Sequence, residues 1–301
     1  MEKLIITGVN GLLGQKLLEQ AESKYEILGI DLHEESFNKR IKCQYRKLDL
    51  TVRRSAKEVI SNFRPDYLIN TAAMTDVDGC EIEKEKCWKI NVEVVDNLIY
   101  AARKTGTKII QLSSDYIFDG RNGPYSEDSV PKPLGYYGKS KLASENLLLA
   151  SEQDYAIVRT MILYGSGIKV RPNFVSWLIE KLKQGEQVTI VNDQFGNPTL
   201  ANDLARALLK IIECKKWDLY HISGSEIIDR YNFALKIADI FKLDKNLIIS
   251  ITTSELNQPA IRPLKSGFII DKAKAELGIE MSNVEEGLKI FKKQCKKFKL
   301  F

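Results

Sequence analysis

The chain has 301 residues, 44% hydrophobic and 28% charged, with a formal charge of +5 from 45 basic and 40 acidic residues. That balance describes a globular protein with a sizeable core, and the basic residues are spread out rather than massed in a stripe, which argues against a nucleic-acid partner. Five cysteines without a CxxC pair and only two histidines, His33 and His221, argue against a disulfide framework and a metal site; no secretory leader opens the chain and no apolar run nears the ~20 residues of a membrane helix, so a cytoplasmic setting without a membrane partner is expected.

The first half alternates strand-like and helical patterns. "KLIITG" reads as a strand, "LLGQKLLEQAE" as a helix, and "YEILGIDL" and "CQYRKLDL" as strands. "VRRSAKEVISNF" reads as a helix, "PDYLINTAA" as a strand, and "KEKCWKINVEVVDNLIYAARKTG" as one long helix closed by Gly106. "KIIQLSSDYIF", "GKSKLASENLLLASE" and "YAIVRTMILYG" continue as strand, helix and strand. Such alternation implies βαβ units with right-handed crossovers and a parallel sheet covered on both faces.

In the second half, "NFVSWLIEKLKQG", "ANDLARALLKIIE", "DRYNFALKIADIFKL" and "VEEGLKIFKKQCKKF" have helical spacing, while "QVTIVND" and "LYHIS" read as strands. "TTSELNQPAIRPLKSGFIID" is loop-rich. Leu288, Phe291, Cys295 and Phe298 fall on one face of the lysine-rich terminal helix, which is expected to dock on the domain. The expected fold class is α/β: a Rossmann-like doubly wound parallel sheet with a smaller C-terminal α/β substrate-binding domain. Residues 1–160 form the dinucleotide-binding domain, with 199–213 returning to it. Residues 161–198 and 214–301 form the substrate-binding domain.

Three features carry chemistry. The turn in "ITGVNGLLG" has glycines at Gly8, Gly11 and Gly14 between a strand and a helix. Such a turn aims backbone N–H groups and a helix N-terminus at an anion, and its last glycine lets helix and strand approach closely. Asp31 ends the second strand, near the offset at which an acid binds a ribose 2′-hydroxyl, which leans towards NAD(H) over NADP(H). His33, Lys39 and Arg40 could still receive a 2′-phosphate, and a turn or cap role for Asp31 stays open. Tyr137 and Lys141 stand four apart in "YYGKSKLASE", on one face of a helix. An ammonium there lowers the pKa of a nearby phenol and tunes it for proton exchange with a carbonyl. Ser113 and Ser114, at the end of a strand, either polarise that carbonyl or cap a turn.

Together these stretches resemble the extended short-chain dehydrogenase/reductase superfamily, and within it the dTDP-4-dehydrorhamnose reductase family. "ITGVNGLLG", "RPDYLINTAAMTDVD", "LSSDYIFDG", "YGKSKLASE", "VNDQFGNPT" and "RPLKSGFIIDKAKAELGI" carry the resemblance over residues 5 to 279. It implies NAD(P)H-dependent reduction of the 4-keto group of a nucleotide-linked deoxysugar, dTDP-4-dehydro-L-rhamnose, to dTDP-L-rhamnose. By this resemblance Ser114 would hydrogen-bond the keto oxygen, Tyr137 donate the proton, and Lys141 hold the nicotinamide ribose. Gly8, Asn10, Gly11, Leu12 and Leu13 would wrap the pyrophosphate, Asp49 and Leu50 flank the adenine, and Ala72 and Ala73 line the cofactor. Thr75, Val77, Asp115 and Tyr116 would lie near the sugar, and Asn173, Phe195, Gly196 and Pro198 near the nucleotide. Asn91 matches a helix asparagine of the family that orders the site. Arg262 would grip a diphosphate or cap a loop.

The chain departs from the family with "SSDY" for Ser-Thr-Asp-Tyr, and with Ile162 where many members have a sugar-stacking tryptophan. The second departure leans towards the regulatory β subunit of methionine adenosyltransferase, a non-catalytic dinucleotide-binding relative. An epimerase or reductase of another nucleotide sugar is the further alternative. A homodimer is compatible with the sequence, which does not fix oligomeric state.

Overall fold

The computed structural model describes the backbone of residues 1–298 and the side chains of residues 1–296. In chain order it contains β1 (Lys3–Thr7), α1 (Leu12–Ala21), β2 (Glu26–Asp31), β3 (Gln44–Lys47), α2 (Arg53–Phe63), β4 (Tyr67–Asn70), α3 (Val77–Ile82) and α4 (Lys84–Trp88). Then come α5 (Val94–Ala102), β5 (Lys108–Ser114), α6 (Tyr136–Leu149), β6 (Tyr155–Thr160), β7 (Leu163–Tyr164), α7 (Phe174–Lys183), β8 (Val188–Val191), β9 (Phe195–Gly196) and β10 (Thr199–Leu200). The chain continues through α8 (Ala201–Cys214), β11 (Leu219–His221), β12 (Ile228–Asp229), α9 (Arg230–Phe241), β13 (Ile248–Ile251), α10 (Asp271–Leu277) and α11 (Val284–Phe298).

Seven parallel strands form the large sheet in the order β11-β6-β5-β4-β1-β2-β3. The order reverses between β1 and β4, and a ligand crevice opens at the carboxyl ends of the strands on either side of such a switch point. Every residue of β4 is buried, as is β1 after Lys3. That follows from a central strand covered on both faces, which reads as a continuous apolar run. On one face α1 packs against α8, with Leu13, Leu17, Leu204 and Leu208 in the core. On the other α2 packs against α5 through Val59, Ile60, Val95 and Leu98.

Helix α8 thus packs on the large sheet beside α1, and β11 adds to its edge beside β6. The remaining C-terminal elements surround a separate core of Leu178, Ile179, Phe233, Ile237, Leu288 and Phe291. Leu288, Phe291 and Cys295 are buried in that core, so the terminal helix docks as expected; the Phe298 side chain lies outside the described residues. Among the described residues no helix is long and apolar enough to cross a membrane.

Two expected elements are broken. The long helix after β4 splits into α4, a π-helical turn (Lys89–Glu93) and α5. The strand expected over "YAIVRTMILYG" stops at Thr160, because Ile162 turns to φ 45°. A β-branched residue there costs about 1–3 kcal/mol and persists only where its surroundings impose it.

A buried ion pair joins α6 to β6. Arg159 Nη2 stands 2.7 Å from Glu145 Oε2, Arg159 Nε donates to the same carboxylate, and both residues are nearly inaccessible. Removing one partner strands the other charge. We expect Arg159→Ala to lower stability by about 3–5 kcal/mol, read as a reduced urea midpoint, with Arg159→Met/Glu145→Leu far closer to the parent.

Candidate active site

The glycine turn is built at the switch point. Gly8 sits at φ +64°, and a Cβ on it would lie 2.9 Å from the backbone nitrogen of Ala72. A Cβ on Gly14 would lie 2.7 Å from the Cα of Val9. Only glycine permits this approach of α1 to β1. Gly11 is the N-cap of α1 in extended conformation and makes no side-chain cap, so the first N–H groups of Leu12 and Leu13 face outward from the helix start. Beneath them a buried ladder crosses the strand ends. Thr7 Oγ1 donates to Asn70 Oδ1 at 2.5 Å, and Asn70 Nδ2 donates to Gln111 Oε1 at 2.7 Å.

Asn10 is committed to the protein itself. Its backbone N–H donates to Asp31 Oδ2 at 3.0 Å, its side-chain oxygen accepts from Phe37 N at 2.8 Å, and its amide donates to the Glu35 carbonyl and the Tyr45 hydroxyl. It thus pins the loop after β2 to the glycine turn. Asp31 also accepts from Leu32 N at 2.8 Å and lies 2.7 Å from His33 Nδ1, so its turn role and its place at the crevice coexist. Lys39 pairs with Glu35. Asp49 closes its own turn by accepting from Thr51 N. Leu50 is buried, and its carbonyl accepts from Asn97. Ala72 and Ala73 are half-buried where the chain leaves β4.

Helix α6 buries Tyr137, Lys141, Ser144, Glu145 and Leu148. These positions form one helical stripe, so this helix turns a polar face inward. Tyr137 neighbours Ser114 at the end of β5. Burial pushes the Tyr137 pKa up, with Ser114 opposing. This corrects the expectation that Lys141 depresses it: in the protein by itself desolvation outweighs any neighbouring charge, and the phenol is held protonated. Burial likewise brings the Lys141 ammonium down to about 8, against the upward pull of Glu145, Cys87 and Cys80.

Asn91 occupies the π-helical turn, a local insertion that frequently accompanies functional sites. Its Oδ1 accepts from Met74 N at 2.8 Å, and its amide donates to the Met74 carbonyl and to Ser140 Oγ at 3.0 Å. It clamps the segment after β4 to α6. Cys80 and Cys87, both free and fully buried, pack with Tyr137 in the same cluster.

A crevice opens beside this group, lined by Asp115, Tyr116, Ile162, Gln194, Phe195, Arg230, Pro263 and Ser266. Phe195 is exposed to it, with Gly196 buried behind against Ile162 and Met161. Val77 packs with the Tyr137 cluster, and Thr75 is exposed on the segment leading to it. Pro198 is buried, and Asn173 caps α7 through a reciprocal pair of hydrogen bonds with Ser176. Arg262 makes a bidentate pair with Asp78 at 3.0 and 2.7 Å and also donates to the Ala260 carbonyl. Of its two expected roles, the structure displays the loop-fixing one.

Arg230, Gln194 and Ser266 were not singled out from the sequence. Arg230 follows the N-cap Asp229 of α9 and reads as an ordinary helix start, yet its guanidinium faces the cavity and stands 5.3 Å from the Phe174 ring centroid.

A doubly wound sheet with a glycine-turn crevice and a Ser–Tyr–Lys group beside a cavity defines a dinucleotide-dependent dehydrogenase or reductase of the extended short-chain type. Comparison with known proteins carries this further. The family described as RmlD substrate binding domain matches residues 1–296. The chain is 33% identical to a dTDP-4-dehydrorhamnose reductase of Aggregatibacter actinomycetemcomitans, over 96% of this chain and 98% of that one. It is 32% identical to the methionine adenosyltransferase 2 subunit beta of Xenopus laevis, over 83% and 75%. Among solved structures, dTDP-4-dehydrorhamnose reductase of Bacillus anthracis in complex with NADP superposes with a TM-score of 0.89 at 32% identity, covering 97% and 99%. The chain belongs to the dTDP-4-dehydrorhamnose reductase family of NAD(P)-dependent oxidoreductases.

The glycine turn fits a dinucleotide pyrophosphate, since a Cβ on Gly8 or Gly14 would collide with neighbouring backbone and push the start of α1 away from β1. Gly14→Ala is expected to weaken NADH binding roughly tenfold or more, the equivalent of losing about 1.4 kcal/mol, as measured by titration calorimetry, with the far-ultraviolet circular dichroism unchanged.

Proposed function

We propose that the protein reduces the 4-keto group of a nucleotide-linked deoxysugar, dTDP-4-dehydro-L-rhamnose, to give dTDP-L-rhamnose. The observation that carries this reading is the buried Tyr137 phenol, near Ser114 and one helical turn from Lys141, beside a crevice lined by Asp115, Tyr116 and Arg230. The reduced nicotinamide supplies the hydride when the dinucleotide is bound. Ser114 donates a hydrogen bond to the keto oxygen and polarises it. Tyr137, held protonated by burial, gives its proton to that oxygen as negative charge develops there. Lys141 holds the nicotinamide ribose and offers positive charge to the phenolate left behind. Thr75, Val77, Asp115 and Tyr116 face the sugar, and Phe195 and Gly196 the nucleotide, with Arg230 in the crevice wall offering its guanidinium to the diphosphate. Asn173 and Pro198 act one step back, by fixing α7 and the β9–β10 loop.

NADH is the preferred reductant in this reading. Asp31 ends β2 at the crevice, and its carboxylate would repel an adenosine 2′-phosphate bound beside it. The protein acts as a cytoplasmic enzyme on a small-molecule substrate.

The similarity to the methionine adenosyltransferase β subunit favours a second reading, a dinucleotide-binding regulatory subunit without turnover. An absorbance assay of NADH oxidation with dTDP-4-dehydro-L-rhamnose decides between them. Stoichiometric oxidation supports the reductase; no oxidation with this or any other keto-sugar supports the regulator.

Three outcomes follow in the same assay. Tyr137→Phe loses turnover by roughly 10²–10⁴-fold while NADH affinity stays near the parent value; loss within tenfold would mean another proton donor. Turnover falls as pH rises through about 8, because Lys141 sheds the proton that makes it a counter-charge. Asp31→Asn reduces the ratio of NADH to NADPH efficiency by about tenfold.

A further inference from the structure

Resting on the reductase reading, one arrangement behind α6 deepens it. Lys141 and Glu145 stand four residues apart on the buried stripe of this helix, 2% and 0% exposed. That spacing puts a lysine and a glutamate within reach of each other on one helix face, and away from water their attraction is strong. Among the described residues they nevertheless form no ion pair. Glu145 is turned to β6 instead, where Arg159 Nη2 donates to Oε2 at 2.7 Å and Arg159 Nε lies 3.1 Å from Oε1 and 3.3 Å from Oε2.

Arg159 cannot follow the carboxylate back toward Lys141. Its Nη1 lies 3.4 Å from His221 Nε2 and 3.5 Å from the Glu127 carbonyl oxygen. His221 is fixed in turn. Its Nδ1 lies 3.0 Å from the Tyr125 carbonyl oxygen, its backbone N–H donates to Glu127 Oε1 at 2.8 Å, and its ring stacks on Phe268 with centroids 4.0 Å apart. A carbonyl only accepts, so Nδ1 carries the proton and Nε2 accepts from Arg159. The planar guanidinium is thus held on both sides, and it fixes the Glu145 carboxylate in one orientation.

We propose that Arg159 is a positioning residue of the active site: by holding the Glu145 carboxylate it leaves the Lys141 ammonium unpaired, to serve the nicotinamide ribose and the Tyr137 phenol. A direct Lys141–Glu145 pair would draw the ammonium along α6 away from Tyr137 and offset the charge that the phenolate needs. The titratable groups around Lys141 are Tyr137 and Glu145 on α6, Cys80 on α3 and Cys87 on α4, with Arg159 on β6 and His221 on β11 behind Glu145. Burial pushes the Lys141 ammonium toward losing its proton and Glu145 opposes that loss. The hold of Arg159 on Glu145 therefore sets the direction in which a variant moves it.

The test compares three variants by kcat, KM for NADH and the alkaline limb of the pH profile in the NADH-oxidation assay. Arg159→Met releases Glu145 to pair with Lys141. The paired ammonium keeps its proton to higher pH, so the limb should rise by about one pH unit. With the ammonium drawn aside, kcat should fall by about tenfold or more and KM for NADH should rise. Glu145→Leu/Arg159→Met removes the competing carboxylate. It should return kcat to within about threefold of the parent and move the limb below the parent's. Glu145→Gln, which keeps an oxygen for Arg159, should also lower the limb. Cys80 and Cys87 are the same in all three, so differences between variants report Glu145. A limb that stays put or falls in Arg159→Met overturns the proposal. So does kcat lost alike in the single and double variants, the mark of a merely structural pair.

An independent readout needs no turnover. In cofactor-free protein carrying isotope-labelled lysine, the Lys141 side-chain resonance, assigned by its loss in Lys141→Met, is titrated by NMR. Its midpoint should rise in Arg159→Met and fall in Glu145→Gln; no difference from the parent in either overturns the proposal. If Arg159→Met does not fold, the neutral Arg159→Gln replaces it with the same upward direction expected, and an unmoved midpoint there has the same force. Absence of parent turnover with the keto-sugar would sink the reductase reading itself, while the titration still reports whether Arg159 keeps Glu145 from Lys141.

Discussion

The arrangement on which the site depends is an inward-facing polar stripe on a helix. Burying an ammonium and a phenol is costly unless each finds compensation. In α6 the compensation is laid out along the helix at successive turns: Ser114 neighbours Tyr137, Glu145 lies one turn beyond Lys141, and Arg159 locks Glu145 from the neighbouring strand. Ser140 and Ser144 on the same stripe return their hydroxyls to carbonyls of Tyr137 and Lys141. Among the described residues no carboxylate pairs directly with Lys141, and Glu145 one turn away opposes the loss of its proton.

The same compensation explains why other elements depart from ideal geometry. The π-helical turn displaces Asn91 so that it reaches both Met74 and Ser140. A regular helix through residues 84–102 would rotate that amide to a different azimuth. Gly138 has the same logic in miniature, because a Cβ there would meet the Tyr116 backbone where the substrate-side loop crosses α6. Ile162 holds a strained backbone at the wall of the cavity, and strain of this kind clusters where a surface must be presented in one orientation.

The cavity lies between two separate cores, and ion pairs tie its rims together. Arg262 reaches from the C-terminal segment to Asp78 on α3, and Arg171 lies 3.6 Å from Asp76 at the start of the same helix. With Arg262 occupied, Arg230 is left to face the cleft. Fold alone would not distinguish a reductase from a regulator, since the same scaffold serves both kinds of relative.

The amino-acid sequence by itself determined the doubly wound architecture, because apolar runs alternating with helical periodicity allow few other layers. The glycine turn, Asp31 at a strand end and the Tyr137–Lys141 pair were legible as local patterns, whereas Ser114 was picked out only by the resemblance to the family. Asn91 was visible as a match but not its π-helical setting. Only the tertiary structure decided that burial, not Lys141, controls the phenol, that Arg262 is held by Asp78 while Arg230 faces the cavity, and that β11 completes the large sheet. Each of these joins residues from distant parts of the chain, such as Asp78 with Arg262 or Asp115 with Ser266. Desolvation and long-range pairing arise only when packing brings such groups together, and no periodicity within either segment encodes them.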